Sequence, residues 1–118
     1  MESQLKPVLL NLVAAFLGAF GQYLYKSGAK KLHLSSLPIN WEIAVGMLFF
    51  VGVMGLFITA FKMGGNISVT YPVYSLTFII GILLGVFLDK EPWHYMQLVG
   101  TFIIVAGIML VVFYSPEA

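Results

Sequence analysis

The sequence predicts an all-α membrane protein, a bundle of four transmembrane helices. Three observations carry this. First, 60% of the 118 residues are hydrophobic and only 9% are charged, where a soluble domain carries about 25% charged residues. Second, four stretches without acids or lysines cover residues 7–25, 43–61, 63–88 and 92–116. Each has at least about 19 residues, which at 1.5 Å per residue nearly spans a hydrocarbon core of about 30 Å. Third, the links between them are short. Backbone polar groups in lipid must be paired within the segment, so these stretches are helices. The alternating segments of about ten residues that a β-barrel needs are not seen. Helices are expected near 5–31, 41–63, 67–88 and 93–114, in a single domain covering 1–118.

The first helix could pass over residues 8–20 for the apolar core of a signal peptide, with Lys6 as its charged flank. The apolar stretch runs on to Tyr25, so a retained first span is expected. Residues 31–40, with Ser35, Ser36 and Pro38, read as a polar turn. Gly64, Gly65 and Asn66 form a tight turn, since these residues tolerate positive φ. The third helix then opens on Ser68, Thr70, Tyr71, Tyr74, Ser75 and Thr77, polar groups in sequence that otherwise belongs in lipid. Asp89, Lys90, Glu91 and Pro92 close the last link. Pro92 suits the first turn of the fourth helix, and Glu91 beside that N-terminus is favoured by the helix dipole. Asp89 and Glu91 thus read as a helix start at the membrane surface. Trp41, Trp93, Tyr95 and Tyr114 lie at span ends, where amphipathic rings prefer the interface.

Short links make successive helices antiparallel, with both termini on one side. Lys6 and Lys62 fall on that side, and Lys26, Lys30, Lys31 and Lys90 on the other. The bias, four lysines against two, favours cytoplasmic links 1–2 and 3–4. It is weak enough to allow insertion in both orientations, or a partner of opposite bias. Packing marks recur in the spans. Ala14 and Gly18 on the first helix, and Gly81 and Gly85 on the third, have small-xxx-small spacing, which lets backbones approach in lipid. Gly100 and Gly107 share one face of the fourth helix. From Leu98 to Phe113 its only polar side chain is Thr101, so this helix packs against lipid or a partner.

Several function classes fall away. Cysteine and arginine are absent and the net charge is +1. No disulfide, thiolate metal site or cysteine catalysis is available, and no basic cluster is large enough to bind nucleic acid. The two histidines have no metal spacing, and no cofactor is expected. No acid falls within a predicted hydrocarbon region, which argues against ordinary proton antiport and against hydrolytic catalysis; no enzyme is expected. What remains is polar and uncharged. Gln22 and Lys26 share a face of the first helix. Tyr71, Tyr74, Ser75 and Phe78, at i, i+3, i+4 and i+7, share a face of the third. Pro72 frees a carbonyl near Ser68 if the helix already runs there. These are the candidate substrate-binding groups. Each has a plainer reading: Tyr71 and Tyr74 as interfacial anchors, Gln22 as an interhelical hydrogen-bond donor, Lys26 as a side chain snorkelling to headgroups.

Three segments, in this order, carry a resemblance: Phe20-Gly-Gln-Tyr-Leu-Tyr-Lys26, Ile67-Ser-Val-Thr-Tyr-Pro-Val-Tyr-Ser-Leu-Thr-Phe78, and Glu91-Pro92 followed by Gly100 through Gly107. Together they resemble the small, four-helix branch of the drug/metabolite transporter superfamily. That branch includes the small multidrug resistance exporters and the two subunits of the flippase for undecaprenyl-phosphate-linked aminoarabinose, to which the segments are most similar. The resemblance implies a small-multidrug-resistance-like fold in a bacterial inner membrane. It implies an antiparallel homo- or heterodimer with a similar chain, and transport of a lipid-linked sugar among membrane lipid. It places cavity positions on Tyr71, Tyr74 and Ser75, and a dimerising helix on the segment with Gly100 and Gly107. Small exporters of this kind carry a glutamate about two turns before the lysine. Here that position is Gly18, which argues against proton-coupled export of cationic drugs. The other two expectations are that exporter function and a non-transporting anchor subunit.

Overall fold

In the computed structural model residues 4–32 and 39–116 are described. The expected turn at Ser35, Ser36 and Pro38 lies outside them. Four helical spans are long and apolar enough to cross a membrane, as expected: Leu5–Lys31, Trp41–Lys62, Ile67–Phe87 and Tyr95–Phe113. The first two are α1 and α2. The third is two helices, α3 (Ile67–Tyr74) and α4 (Leu76–Phe87), and the fourth is α5.

The break in the third span corrects the single helix expected over 67–88. Pro72 has no N–H, and its ring crowds the carbonyl one turn earlier. The chain tightens after it. Ser75 N donates to Pro72 O (3.0 Å) and Phe78 N to Ser75 O (2.9 Å), both three residues back. Helix does run from Ile67, so the carbonyl of Ser68 is the one that Pro72 leaves without its helical donor. The start of α5 is also corrected. Pro92 and Trp93 precede the helix, which begins at Tyr95 behind an extended His94. His94 Nδ1 accepts from Met96 N (3.1 Å), and Gln97 Oε1 accepts from His94 N (2.8 Å). This reciprocal cap satisfies two otherwise orphaned N–H groups.

α1 is the middle of the structure. Its small residues Ala14, Ala15, Gly18, Ala19, Gly21 and Gly28 are buried. Against α2 the pairs are Gly28 with Asn40 and Ile43, Gly21 with Gly46 and Phe50, and Leu17 with Gly52. The descending order makes the two helices antiparallel. Tyr25 stacks on Phe50 with centroids 5.4 Å apart. Against the third span the order ascends, Pro7 with Gly65, Gly18 with Tyr74, Lys26 with Asp89; the two run parallel. α5 packs chiefly on α3 and α4, and Ile108 is its one buried residue.

The expected bundle is therefore open. The structure extends 52 × 36 × 15 Å. Four helices in one row, with axes 8–10 Å apart, measure about 30 Å between the outer axes. The row runs α2, α1, α3/α4, α5. The exposed faces are hydrocarbon, including Leu48, Ile58, Phe102, Ile103 and Leu110, as lipid-facing helices require.

Polar contacts pin α1 at both ends. At its start the fully buried Gln4 brackets the α2–α3 turn. Its Nε2 donates to Gly64 O (3.2 Å), and its Oε1 accepts from Asn66 N (2.8 Å). Gly64 takes φ +93° there, a left-handed conformation that glycine adopts without cost. At the other end Asn40 caps α2, accepting from Ile43 N (3.0 Å) while donating to Gly28 O (2.8 Å). Glu42, nearly fully buried, accepts from Lys31 (2.6 Å) and from Ser27. Replacing Gln4 with Ala leaves Asn66 N–H without its partner. The expected loss is about 1–2 kcal/mol of stability, read as a lower unfolding midpoint in denaturant-titrated micelles.

Candidate functional site

A cleft lies between α1 and α4, and the sequence explains why a gap exists there. Ala19 on α1 faces Gly81 on α4, and a Cβ placed on Gly81 would meet nothing within 4 Å. Where small residues were expected to bring backbones together, Gly81 instead leaves space. The cleft has two lobes that share Ala19, Gln22, Gly81 and Glu91. The larger, about 550 Å³, reaches Tyr74, Thr77 and Phe78 near the helix break. The smaller, about 250 Å³, ends at Tyr23, Lys26, Gly85 and Asp89, level with the close of the α1 and α4 helices.

The wide end is set by Tyr74. Its ring packs edge-on against Phe57 of α2, centroids 5.0 Å apart. Its hydroxyl lies over Gly18 so closely that any Cβ there would collide with it. The space over Gly18 is filled by the Tyr74 side chain. Thr77 Oγ1 lies beside the same glycine.

The narrow end is an ion-pair cluster. Lys26 Nζ lies 2.7 Å from Asp89 Oδ2 and also pairs with Glu91. Lys30 Nζ lies 2.6 Å from Asp89 Oδ1. Two cations and two carboxylates thus balance. The turn after α4 makes this possible. Asp89 N donates to Leu84 O (3.1 Å) and Glu91 N to Gly85 O (2.9 Å), with Lys90 between them at φ +55°. The chain doubles back, and the Glu91 carboxylate packs over Gly85, where a Cβ would strike it. Asp89 and Glu91 are therefore partners of α1, which corrects their reading as the start of the last helix.

The sequence-derived candidates separate. Tyr74, Gln22 and Lys26 line the cleft. Tyr71 does not; it is 63% exposed and meets Phe57 edge-on at 6.1 Å. Ser75 spends its hydroxyl on Pro72 O. Thr77, Glu91 and Asp89 join the cleft without having been named as binding residues. Thr77 could have been found as i+3 from Tyr74. Glu91 could not, because its position depends on the turn at Lys90. Gly85 holds the Glu91 side chain rather than a helix, and at Gly100 and Gly107 a Cβ would meet nothing within 4 Å of this chain. No protein-family model, curated protein or solved structure matches the chain.

Chemically, the cleft offers hydroxyl and amide groups at its wide end and exchangeable ion pairs at its narrow end. The Lys26 and Lys30 ammoniums hold the Asp89 carboxyl below its ordinary value, first through the hydrogen bond from Lys26. A depressed folded-state value stabilises the fold above the unfolded value, and that contribution is lost as pH falls through the folded value. The α1–α4 closure is therefore expected to hold at neutral and mildly acidic pH and to loosen only below the usual carboxylate range. Carboxyl-carbon NMR of Asp89 in micelles checks this, with the midpoint rising when Lys26 and Lys30 are both replaced by Met.

Proposed function

We propose that the chain is a subunit of a membrane transporter that moves a polyprenyl-phosphate-linked sugar between the leaflets of a bacterial inner membrane. The observation that carries this reading is the cleft itself: it begins at a lysine–carboxylate cluster at one end of the helices and runs along α1 to a tyrosine and a threonine near the break. Such a substrate needs a path only for its headgroup. Lys26 and Lys30 supply cations for the phosphate, and Gln22, Tyr74 and Thr77 supply donors and acceptors for the sugar. A phosphate that takes Lys26 leaves Glu91 and Asp89 short of a partner, and an amino group on the sugar restores it. An aminoarabinose-phosphoundecaprenol-like headgroup has both groups, so it exchanges ion pairs without burying an unpaired charge.

A single row of four helices encloses no path. The transporting unit on this reading contains a second four-helix chain, the same or similar, antiparallel to the first. The hydrocarbon face of α5, with Gly100 and Gly107 uncovered, suits that contact. A second reading, export of small cations, draws on Glu91 in the cleft. It is the weaker, because Glu91 already holds Lys26 and Tyr74 fills the place of an acid at Gly18.

Replacing both Lys26 and Tyr74 with Ala removes a charged and a neutral hydrogen-bonding group. Flipping of the lipid-linked aminosugar in reconstituted vesicles is expected to fall about tenfold or more, with the helical circular-dichroism signal retained. Undiminished flipping by the folded double variant contradicts the assignment. Saturable binding of hydrophobic cations, released at low pH, favours the export reading.

A further inference from the structure

A second cavity lies on the other side of Ile82. It is a groove of about 270 Å³ between α4 and α5, walled by Ile79, Leu83, Val86, Phe87, Trp93 and Leu98. Two polar side chains border it, and both are engaged on their own helix. Thr101 Oγ1 donates to Gln97 O (2.8 Å), and Gln97 Oε1 accepts from His94 N. The surface that lines the groove is almost entirely carbon. Ile82 lines both the groove and the polar cleft, so one side chain separates them. On α4 the cleft residues 78, 81 and 85 form one stripe and the groove residues 79, 83 and 86 the next, with Ile82 between them.

The two cavities also share a direction. Both start beside the α4–α5 link, the cleft at Asp89 and Glu91 and the groove at Phe87 and Trp93. Both run back along α4, the cleft to Thr77 and the groove to Ile79. A lipid whose polar head sits in the cleft can lay its first hydrocarbon units in the groove by passing over Ile82. At about 270 Å³ the groove has the size of a short run of hydrocarbon. That is room for the head-proximal part of one chain. A polyprenyl phosphate has a single chain, so all of its head-proximal hydrocarbon can lie there.

We infer that the α4–α5 groove is a binding site for the proximal isoprenoid units of a single-tailed lipid phosphate whose headgroup occupies the α1–α4 cleft. The inference rests on the proposed function and adds a tail site to it. Recognition of the tail by the protein selects a polyprenyl lipid over bulk phospholipid, and it holds the head at the mouth of the cleft. Trp93 on the groove wall makes the idea measurable, because the chain has only two tryptophans and Trp41→Phe leaves Trp93 alone.

The experiment uses the full chain carrying Trp41→Phe, in vesicles of phosphatidylethanolamine and phosphatidylglycerol. The probe is undecaprenyl phosphate brominated in its first isoprene units, with brominated phosphatidylglycerol as the comparison. Retention of radiolabelled undecaprenyl phosphate by the purified chain is measured in parallel. Expected is saturable quenching of Trp93 by the polyprenyl phosphate at mole fractions where brominated phosphatidylglycerol quenches only in proportion to its abundance. The saturable part is lost in Ile79→Phe/Leu83→Phe, which fills the groove, and in Lys26→Ala/Tyr74→Ala, which removes the head contacts. Saturable retention without quenching of Trp93 overturns the groove site and leaves the proposed function standing. Quenching that survives Lys26→Ala/Tyr74→Ala, or equal quenching by both lipids, makes the groove an ordinary lipid contact and overturns the inference. Trp93 shielded from both probes assigns the groove to a second copy of the chain, with the same result. Absence of retention overturns this inference and, for a transporter built of this chain alone, the proposed function.

Discussion

The Lys26 ammonium, held between the carboxylates of Asp89 and Glu91, is the interaction on which the rest of the structure depends. An unpaired charge at the margin of hydrocarbon is costly. Here it is matched across two helices that are distant in sequence and run parallel. The pairing fixes the end of α1 against the turn after α4. Gln4 fixes its beginning against the turn before α3. Between these two attachments the helices meet at Gly18, beneath Tyr74 and Thr77, and leave a gap at Gly81. The cleft exists because polar contacts at the ends hold apart, at a set distance, two helices whose middles carry small residues.

The same arrangement gives the cleft its chemistry. Its narrow end is closed by ion pairs that a charged ligand can exchange. Its wide end is walled by Tyr74, whose position follows from Gly18 beneath the hydroxyl and Phe57 beside the ring. A larger residue at Gly18 would require the Tyr74 hydroxyl to move. A phenol thus occupies the space over Gly18, and the carboxylates of the cleft, Asp89 and Glu91, lie past the end of α4. Ionisable groups at a margin are suited to meeting a headgroup, whereas an acid at depth is suited to carrying a proton.

Much of the fold was legible in the sequence. Hydropathy located four spans because lipid imposes that pattern on every residue of a span, and the Gly64–Asn66 turn followed from its residue types. The helix break was less legible: Pro72 was visible, yet whether a span bends or stops depends on how the carbonyls there are satisfied, here Pro72 O by Ser75. The site was half legible. Helical periodicity placed Gln22 and Lys26 together correctly, but it also grouped Tyr71, which is exposed, with Tyr74, which lines the cleft, although both stand on α3 ahead of the break. Glu91 and Gln4 act over about sixty positions of sequence, and nothing local marks such pairs. The row arrangement was equally hidden, since apolar faces toward lipid and toward a neighbouring helix have the same composition.

A polar cleft that runs between α1 and α4 from the Lys26 end into the membrane must be open to water. The chain has no cysteine, so single cysteines report without background. The most direct measurement is the reactivity of Thr77→Cys and Gly81→Cys, in membranes, toward a water-soluble thiol reagent, beside Phe102→Cys and Ile103→Cys on the lipid-facing side of α5. Labelling of the first pair, from the side that bears Lys26, and slow labelling of the second are expected. Protection of positions 77 and 81 to the same degree as 102 and 103 would contradict an open cleft.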